Sequence, residues 1–396
     1  MKEAVLITDG EQRAALALVR SLGRAGYRPY VCSTRTRSLA GASRYARGQE
    51  AVADPLRDPA CFVAGVRESV ERWNTRVILP VSEASLLAIL AARESLPGVC
   101  IPFPAAESFR RISDKALLLA TAREVGIRVP DQRVVASRAE ARELAGEVLD
   151  FPVVLKPSRS VAESNGRRIK LEVGYAADRA QLAERLEALP EAAYPVLLQQ
   201  RIVGPGVGIF LLLWEGETLG IFSHRRLREK PPSGGVSVYR ESIPADPGLV
   251  ERSRALLERF DWQGVAMIEY KLDAATGTPY LMEVNGRFWG SLQLAVDAGV
   301  DFPVLLVEAG LGRAPRPVTT YRTGVRSRRW WGDVDHLLAR LRRSPAQLAL
   351  PPEAPGRWRA VRDFARLWRP GDRNEIFRIQ DPFPLLRESI DWFARR

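Results

Sequence analysis

Two carboxylates and one amide are spaced along the chain in a way that favours a metal site. Glu269 and Glu283 each interrupt an apolar run. Asn285 follows the second carboxylate by two residues. A carboxylate in an apolar layer is costly unless a cation compensates it. Carboxylate and amide oxygens suit Mg²⁺, which leaves positions open for phosphate oxygens. A solvated strand face with ordinary charges is the alternative interpretation of this stretch.

The elements around these residues form a hairpin pattern. Two β-prone runs, Val265–Tyr270 and Pro279–Val284, flank a turn-rich gap at Asp273–Gly277. Residues i and i+2 of a strand point to the same face. Pairing of the two runs would therefore bring both carboxylates and the amide onto one face. Arg287 is next in the same alternation, where it could hold a negative charge beside the metal.

Two lysines lie where phosphate contacts are expected. Lys115 follows Ser113 and Asp114, either of which could cap a helix that ends at Gly126. A lysine in the first turn opposes the helix dipole, and a bound anion would offset that cost. Lys156 ends an apolar strand, where it could act as a point charge toward phosphate. For both lysines, an ordinary surface position is the alternative.

Two polar segments could close around an anion. The segment 158–166 is rich in serine and reads as a loop able to fold over phosphates. The segment 224–230 carries Arg225 and Arg228 and precedes a loop rich in proline and glycine. It could clamp an anion, although a solvated basic loop is equally compatible with its composition.

The beginning of the chain predicts an α/β domain with a parallel sheet. A buried strand at Ala4–Thr8, a helix over Glu11–Gly26 and a second strand at Arg28–Cys32 form a βαβ unit. Further helix and strand patterns continue to about residue 110, including a short strand at Val99–Pro102. The unit has no Gly-x-Gly-x-x-Gly sequence, so a dinucleotide fingerprint is not supported.

Composition restricts the class of protein. The chain has 396 residues, of which 46% are hydrophobic, so two or three globular domains are expected. It shows neither a membrane-spanning run nor the apolar core of a signal peptide. Three widely spaced cysteines fit packing residues in a reducing cytoplasm. The net charge of +12 suggests an anionic partner, but no nucleic-acid-binding motif accompanies it, so we expect a polyanionic small substrate instead.

Several motifs in order along residues 1–312 resemble the ATP-grasp superfamily. The resemblance is strongest to its carboxylate–amine ligase branch, whose core is similar to the large subunit of carbamoyl phosphate synthetase. The motifs that carry it are Ser113-Asp114-Lys115 with Gly126-Ile127 and Pro130, Phe151-Pro-Val-Val-Leu-Lys156-Pro157, Gln199-Gln200-Arg201-Ile202 with Gly204, and Glu269 with Glu283-Val-Asn285-Gly-Arg287. Each motif is weak alone, but the ordered set is specific.

The resemblance implies a role for each matching residue. Lys115 and Lys156 would contact the phosphates of ATP. Arg287 would steady the transferring phosphoryl group. The remaining positions fall into three groups: the adenine hinge is Gln199, Gln200, Arg201 and Ile202; the ligands of Mg²⁺, with Mn²⁺ as an alternative, are Glu269, Glu283 and Asn285; and the substrate-side residues are Arg225 and Arg228 with the Ser233-Gly234-Gly235 loop.

The implied reaction joins a small-molecule carboxylate to an amine through an acyl phosphate, with release of ADP and phosphate. Two alternatives are an acyl-phosphate-forming enzyme with a non-amine acceptor and a non-catalytic nucleotide-binding module with a basic partner or nucleic-acid surface. One departure favours the second alternative. Gln200 and Gly206 stand where the family usually has acids that help to bind the nucleotide, so ribose recognition is unassigned.

The expected fold is α/β. A parallel-sheet domain over residues 1–110 precedes an ATP-grasp domain over 111–312, with a small subdomain at 111–195 and a large one at 196–312. Residues 313–396 are rich in arginine and tryptophan and predict a mainly helical extension outside the resemblance. A homodimer is compatible with this organisation. No membrane partner is expected.

Overall fold

The computed structural model describes residues 2–143, 151–159, 161–164, 167–348, 350, 354–366 and 369–395. The chain begins with a parallel sheet in the order β3-β2-β1-β4. Its elements are β1 (Ala4–Ile7), α1 (Arg13–Arg24), β2 (Arg28–Ser33), β3 (Gly48–Ala51), α2 (Pro59–Trp73), β4 (Val77–Leu79) and α3 (Glu83–Ala91). All of β1 is buried, as expected for a parallel strand that is covered on both faces. The predicted parallel sheet is confirmed.

One short element of this region was predicted wrongly. The run Val99–Pro102 is not a strand, because only Cys100 forms a bridge to Val77. The chain then enters α4 (Ala106–Ser113) and α5 (Lys115–Glu124). The carboxylate of Asp114 caps α5 by accepting from the amides of Ala116 and Leu117 at 3.0 and 3.2 Å.

A second, antiparallel sheet follows in the order β5-β10-β6-β9. The elements of this region are β5 (Gln132–Val135), α6 (Arg138–Glu143), β6 (Val153–Pro157), β7 (Val161–Ser164), β8 (Arg167–Lys170), β9 (Gly174–Ala176), α7 (Arg179–Ala188) and β10 (Val196–Gln200). The segment 158–166 was expected to be a loop, but its part at 161–164 is β7, which pairs with β8 in a hairpin. Residues 160, 165 and 166 lie outside the described part.

The third sheet has seven strands in the order β15-β14-β11-β12-β13-β16-β17. The elements of this region are β11 (Gly206–Trp214), β12 (Glu217–Lys230), β13 (Val236–Ser242), α8 (Pro247–Glu258), β14 (Gly264–Leu272), β15 (Pro279–Asn285), α9 (Leu292–Ala298), α10 (Phe302–Gly310), β16 (Arg326–Arg328), α11 (Trp330–Arg342), α12 (Arg357–Ala365), β17 (Asp372–Asn374) and α13 (Phe383–Phe393). The basic run at 224–230 continues β12 instead of forming a loop, because it pairs with β13.

The last part of the chain is helical, as predicted, but it also completes the third sheet. The strand β16 pairs with β13, and β17 pairs with β16. These two three-residue strands carry no hydrophobic alternation, so the sequence gives no sign of them. The division of the chain at residues 110 and 312 stays a prediction. None of the helices in the described part is long and apolar enough to cross a membrane.

Buried ion pairs tie the C-terminal part to the beginning of the chain. The carboxylate of Glu375 lies 2.7 Å from Nη1 of Arg13 and 2.5 Å from Nη2 of Arg240. The carboxylate of Asp381 accepts from Nε of Arg20 at 2.7 Å. All four pairing residues besides Arg13 are buried, and the side chain of Arg13 is 9% exposed. One segment therefore joins the parallel sheet to the seven-stranded sheet through charge pairs.

We expect Glu375→Gln to lower the free energy of unfolding by about 3–5 kcal/mol at pH 7, because it leaves two buried arginines without their carboxylate. Although burial acts to raise it, Arg13 and Arg240 lower the pKa of Glu375 to about 2. The unfolded value is about 4.3. The stabilisation is therefore full above about pH 4.3 and is lost as the pH falls toward 2.

Denaturant titrations of both proteins at pH 7 and pH 3.5 measure this difference, which should narrow by about 1 kcal/mol at the lower pH. The matched control is Glu107→Gln, which removes an exposed partner of Arg110 and should change stability by at most about 0.5 kcal/mol. Equal effects of the two substitutions at pH 7 would show that Glu375 is not a structural counter-ion.

Candidate functional site

A row of paired residues runs across the third sheet. Glu283 on β15 lies opposite Glu269 on β14, Glu269 lies opposite Gly208 on β11, and Gly208 lies opposite His224 on β12. Residues that pair across antiparallel strands point to the same face. The two carboxylates and the imidazole therefore share one face, and Gly208 leaves a gap between them. The predicted hairpin and its two facing carboxylates are present in the structure.

The neighbouring row adds the predicted amide and arginine. Asn285 pairs with Met267, two residues from the carboxylate pair on each strand. Its Nδ2 donates to Oε1 of Glu283 at 3.0 Å, and Nη2 of Arg287 donates to Oδ1 of Asn285 at 3.3 Å. Both side chains are thus held against Glu283.

These residues line a cavity of about 450 Å³ between the second and third sheets. Lys156 lies on the wall formed by the second sheet, with its Nζ 3.9 Å from Sδ of Met282. Lys115 lines a small adjoining space together with Glu283, Asn285 and Arg287. The structure therefore gathers both predicted lysines, the two carboxylates, the amide and the arginine around one place.

The charges around the carboxylates differ. Burial acts to raise the pKa of Glu283, but Lys115, the hydrogen bond from Asn285 and Lys156 outweigh it and lower the pKa. Burial raises the pKa of Glu269 although a guanidinium faces it. The pKa of Lys156 is lowered to about 8 by burial, against the attraction of Glu283. A single site thus holds one carboxylate that is readily ionised and one that is costly to ionise.

Arg226 is a cavity residue that sequence reasoning missed. Its Nη2 lies 2.5 Å from Oε2 of Glu269, and its Nη1 donates to Oε1 of Glu229 at 2.8 Å. The signal was present in the alternation of β12, because Arg226 is two residues from His224 and so shares its face. The bare backbone of Gly206 accommodates this side chain, since a Cβ there would meet Cδ of Arg226 at 2.8 Å.

Arg225 and Arg228 do not lie in the cavity, which corrects their predicted role. Arg225 points to the opposite face of β12, where it donates to Glu241 at 3.0 Å and is about half exposed. A register shift separates Arg226 from Arg228. Arg228 instead donates to Asp333 on α11 at 2.6 Å and lines a second cavity beside the C-terminal helices.

The predicted hinge lies beside the cavity and outside its wall. Gln199 is buried and donates to Gln132 at 2.8 Å, and Ile202 is also buried. The side chain of Gln200 is exposed, while the guanidinium of Arg201 lies 5.5 Å from the ring centre of Tyr175. Tyr175 does line the cavity. The structure therefore brings the hinge to the cavity through Tyr175.

The first domain contributes two further residues that no motif indicated. Arg13, at the start of α1, lines the cavity next to Gly290. Glu83, at the start of α3, lines the small space near Lys115 and Arg287. Burial raises the pKa of Glu83, and Arg287 and Lys115 oppose that change. The site thus combines all three sheets of the protein.

The donor set suits Mg²⁺. In the described part of the chain, no group of three or more histidine, cysteine, aspartate or glutamate side chains could hold a metal ion. The candidate set is therefore two carboxylates and the amide oxygen of Asn285, a sparse oxygen set of the kind that Mg²⁺ accepts alongside phosphate oxygens.

Part of the chain matches a described family. Residues 193–330 match the model of "ATP-grasp in the biosynthetic pathway with Ter operon". The carbamoyl phosphate synthase large chain of Deinococcus radiodurans is 26% identical over 208 residues, which are 50% of this chain and 19% of that one. The same enzyme chain of Rubrobacter xylanophilus is 28% identical over 145 residues, which are 35% of this chain and 13% of that one. The matched segments thus span less than a fifth of those relatives.

Solved structures share the fold over most of the chain. The L-amino acid ligase of Bacillus licheniformis has a TM-score of 0.62 at 18% identity and covers 80% of this chain and 78% of its own. The biotin carboxylase domain dimer of the Hydrogenobacter thermophilus 2-oxoglutarate carboxylase, solved with MgADP, ADP and bicarbonate, has a TM-score of 0.62 at 14% identity, with coverages of 82% and 73%. Together with the family model, these matches identify the chain as an ATP-grasp protein related to the carboxylate–amine ligases of that superfamily.

Proposed function

We propose that this protein is an ATP-dependent ligase that activates a carboxylate as an acyl phosphate and joins it to an amine. The observation that carries the proposal is the facing pair Glu269 and Glu283, with Asn285 and Arg287 beside it and Lys156 on the opposite wall. A cavity that only bound a nucleotide would not need an arginine held against the carboxylates.

The chain's own residues account for the first step. Glu269, Glu283 and Asn285 would hold Mg²⁺, which when bound neutralises charge on the β- and γ-phosphates. Lys115 and Lys156 bind phosphate oxygens as point charges. A substrate carboxylate oxygen attacks the γ-phosphorus, the bond to the β-phosphate oxygen breaks, and ADP leaves. Arg287 is fixed by Asn285 and faces the charge that is transferred.

The second step requires that water be kept from the acyl phosphate. Lys170 on β8 and Tyr175 on β9 border the cavity, so the β7–β8 hairpin and β9 lie along its edge. The amine nitrogen attacks the activated carbonyl carbon, the bond to the phosphate oxygen breaks, and the nitrogen loses a proton. The products are an amide and phosphate. An enclosing edge favours this reaction over hydrolysis.

The basic surface does not favour the nucleic-acid alternative. Many arginines of the C-terminal part are engaged in ion pairs within the protein. Examples are Arg326 with Glu241, Arg329 with Glu388, Arg378 with Asp297 and Arg387 with Asp391. Charges that are paired in this way are less available to release counterions from a polyanion. The acceptor could still be a thiol or hydroxyl, and a homodimer stays a prediction.

The direct test measures ADP release with a panel of acids and amines. We expect ADP to form quickly only when an acid and an amine are both present, and slowly with the acid alone, because the acyl phosphate then waits for water. Mass spectrometry of the mixture identifies the amide. Intact ATP binding without turnover across the whole panel would contradict the proposal, and a thioester or ester product would assign the acceptor to the other class.

We expect Glu283→Gln to lower turnover at least about 100-fold, since it removes one charge from the metal-binding face. The variant should still unfold cooperatively, as its side chain keeps the size of glutamate. The matched control is Glu241→Gln on the opposite face of the same sheet, which pairs with Arg225 and should retain most of the activity. Near wild-type turnover of Glu283→Gln would exclude the metal assignment.

The affinity for ATP should depend on the charge of Lys156. With a pKa of about 8 in the free protein, the lysine loses its proton as the pH rises, and affinity should fall about tenfold between pH 7 and pH 9. Lys156→Arg keeps the charge over this range and should flatten the dependence. Calorimetric titrations at both pH values measure it, and an equal slope for both proteins would remove Lys156 from phosphate binding.

A further inference from the structure

The cavity continues past the carboxylates into a second compartment. Its walls include Arg13 from α1, His224 from β12 and Trp289 from the segment after β15. We name this end, formed by Arg13, His224 and Trp289, the distal pocket. The strand β11 lies between the distal pocket and Glu269, and Gly208 on that strand has no side chain to divide the two. A ligand can therefore extend from the carboxylates across β11.

Two buried polar groups in the distal pocket have no hydrogen-bond partner in the described part of the chain. His224 is 1% exposed, and neither ring nitrogen is paired. Trp289 is 2% exposed, and its indole Nε1 is likewise unpaired. Leaving such groups unsatisfied costs about 1–3 kcal/mol each. The cost is accounted for if a ligand completes their hydrogen bonds.

The unpaired groups and their surroundings favour an acceptor carrying negative charge. The indole Nε1 can only donate, and a neutral imidazole supplies one further donor. Arg13 and Arg240 share the single carboxylate of Glu375, so this group of three residues keeps a net positive charge. Burial together with Arg226 and Arg240 lowers the pKa of His224 well below its usual value, which keeps the ring neutral. A substrate ammonium would meet cations here and would find few acceptors.

We propose that the distal pocket binds a second anionic group of the acid substrate, so that the enzyme acts on acids with a carboxylate or phosphonate beyond the carboxylate that is activated. This inference rests on the proposed ligase function for the identity of the first carboxylate. Neighbouring strands lie about 4.8 Å apart, so β14 and β12 are about 10 Å apart across β11. One flexible molecule can span that distance.

The probes are α,ω-dicarboxylates from succinate to suberate, the monocarboxylates of matching chain length, and phosphonocarboxylates of the same span. Calorimetry measures their binding to the full chain with MgADP present and again without nucleotide. We expect at least one dianion to bind at least tenfold more tightly than its matched monocarboxylate. The phosphonate arm distinguishes a preference for carboxylate from one for phosphate-like groups. No tenfold preference at any length would overturn the inference.

Variants locate the preference. His224→Phe keeps the contact with Phe210 but removes both nitrogens, and Trp289→Phe removes the indole N–H. Each should lower the ratio of dianion to monoanion affinity at least fivefold while leaving MgADP affinity unchanged. The matched control is Trp262→Phe, which removes another buried and unpaired indole nitrogen outside the cavity. An unchanged ratio in both distal-pocket variants would exclude this pocket.

Binding and turnover separate this inference from the proposed function. A dianion preference without any ADP release would uphold the distal pocket and remove the ligase activity. Efficient turnover of monocarboxylates, with no gain from a second anionic group, would uphold the ligase and remove the role of the distal pocket.

Discussion

Two carboxylates that face each other across an antiparallel strand pair impose the main constraint on this structure. Glu269 and Glu283 occupy one row of the third sheet, on a face that is largely closed to solvent. Like charges repel strongly where the dielectric constant is low, so the surrounding chain must supply cations. It does so from three directions, with Arg226 on β12, Lys156 on β6 and Lys115 on α5. Those elements approach one another because the carboxylates require them.

Arg226 gives this arrangement a particular property. In the protein without metal, it forms an ion pair with one of the two carboxylates that are expected to ligate Mg²⁺. The guanidinium also reaches Glu229, which offers it a second partner at 2.8 Å. The carboxylate pair is thus stabilised before any ligand arrives. Binding of a divalent cation then exchanges one counter-ion for another and does not add charge to a neutral site.

The sequence predicted the parts of the site that depend on local geometry. The hairpin of β14 and β15, the facing carboxylates and the direction of Asn285 follow from strand alternation over about twenty residues. The capped helix with Lys115 in its first turn follows from a single aspartate. Arg225 and Arg228 were predicted in place of Arg226 because the segment was taken as a loop. Its pairing with β13 shows which side chains share a face.

Other parts depend on contacts that no local pattern encodes. Arg13 and Glu375 are 362 positions apart, and the strand that precedes Glu375 has three polar residues without alternation. Glu83 reaches the lysines only because the first domain packs against the third sheet. Hydrophobic periodicity identifies elements and their buried faces, but it carries no information on which charged surface residues meet when the elements assemble.

The ion pairs of the C-terminal part also have a temporal meaning. Arg13 and Arg20 enter the nascent chain early, and their partners Glu375 and Asp381 follow more than 350 positions later. At about 5–20 residues per second, synthesis leaves these arginines without partners for roughly 20–70 s. The parallel sheet can fold during that interval, but Arg13 cannot take up its final orientation. The cavity is therefore completed only after nearly the whole chain has been made.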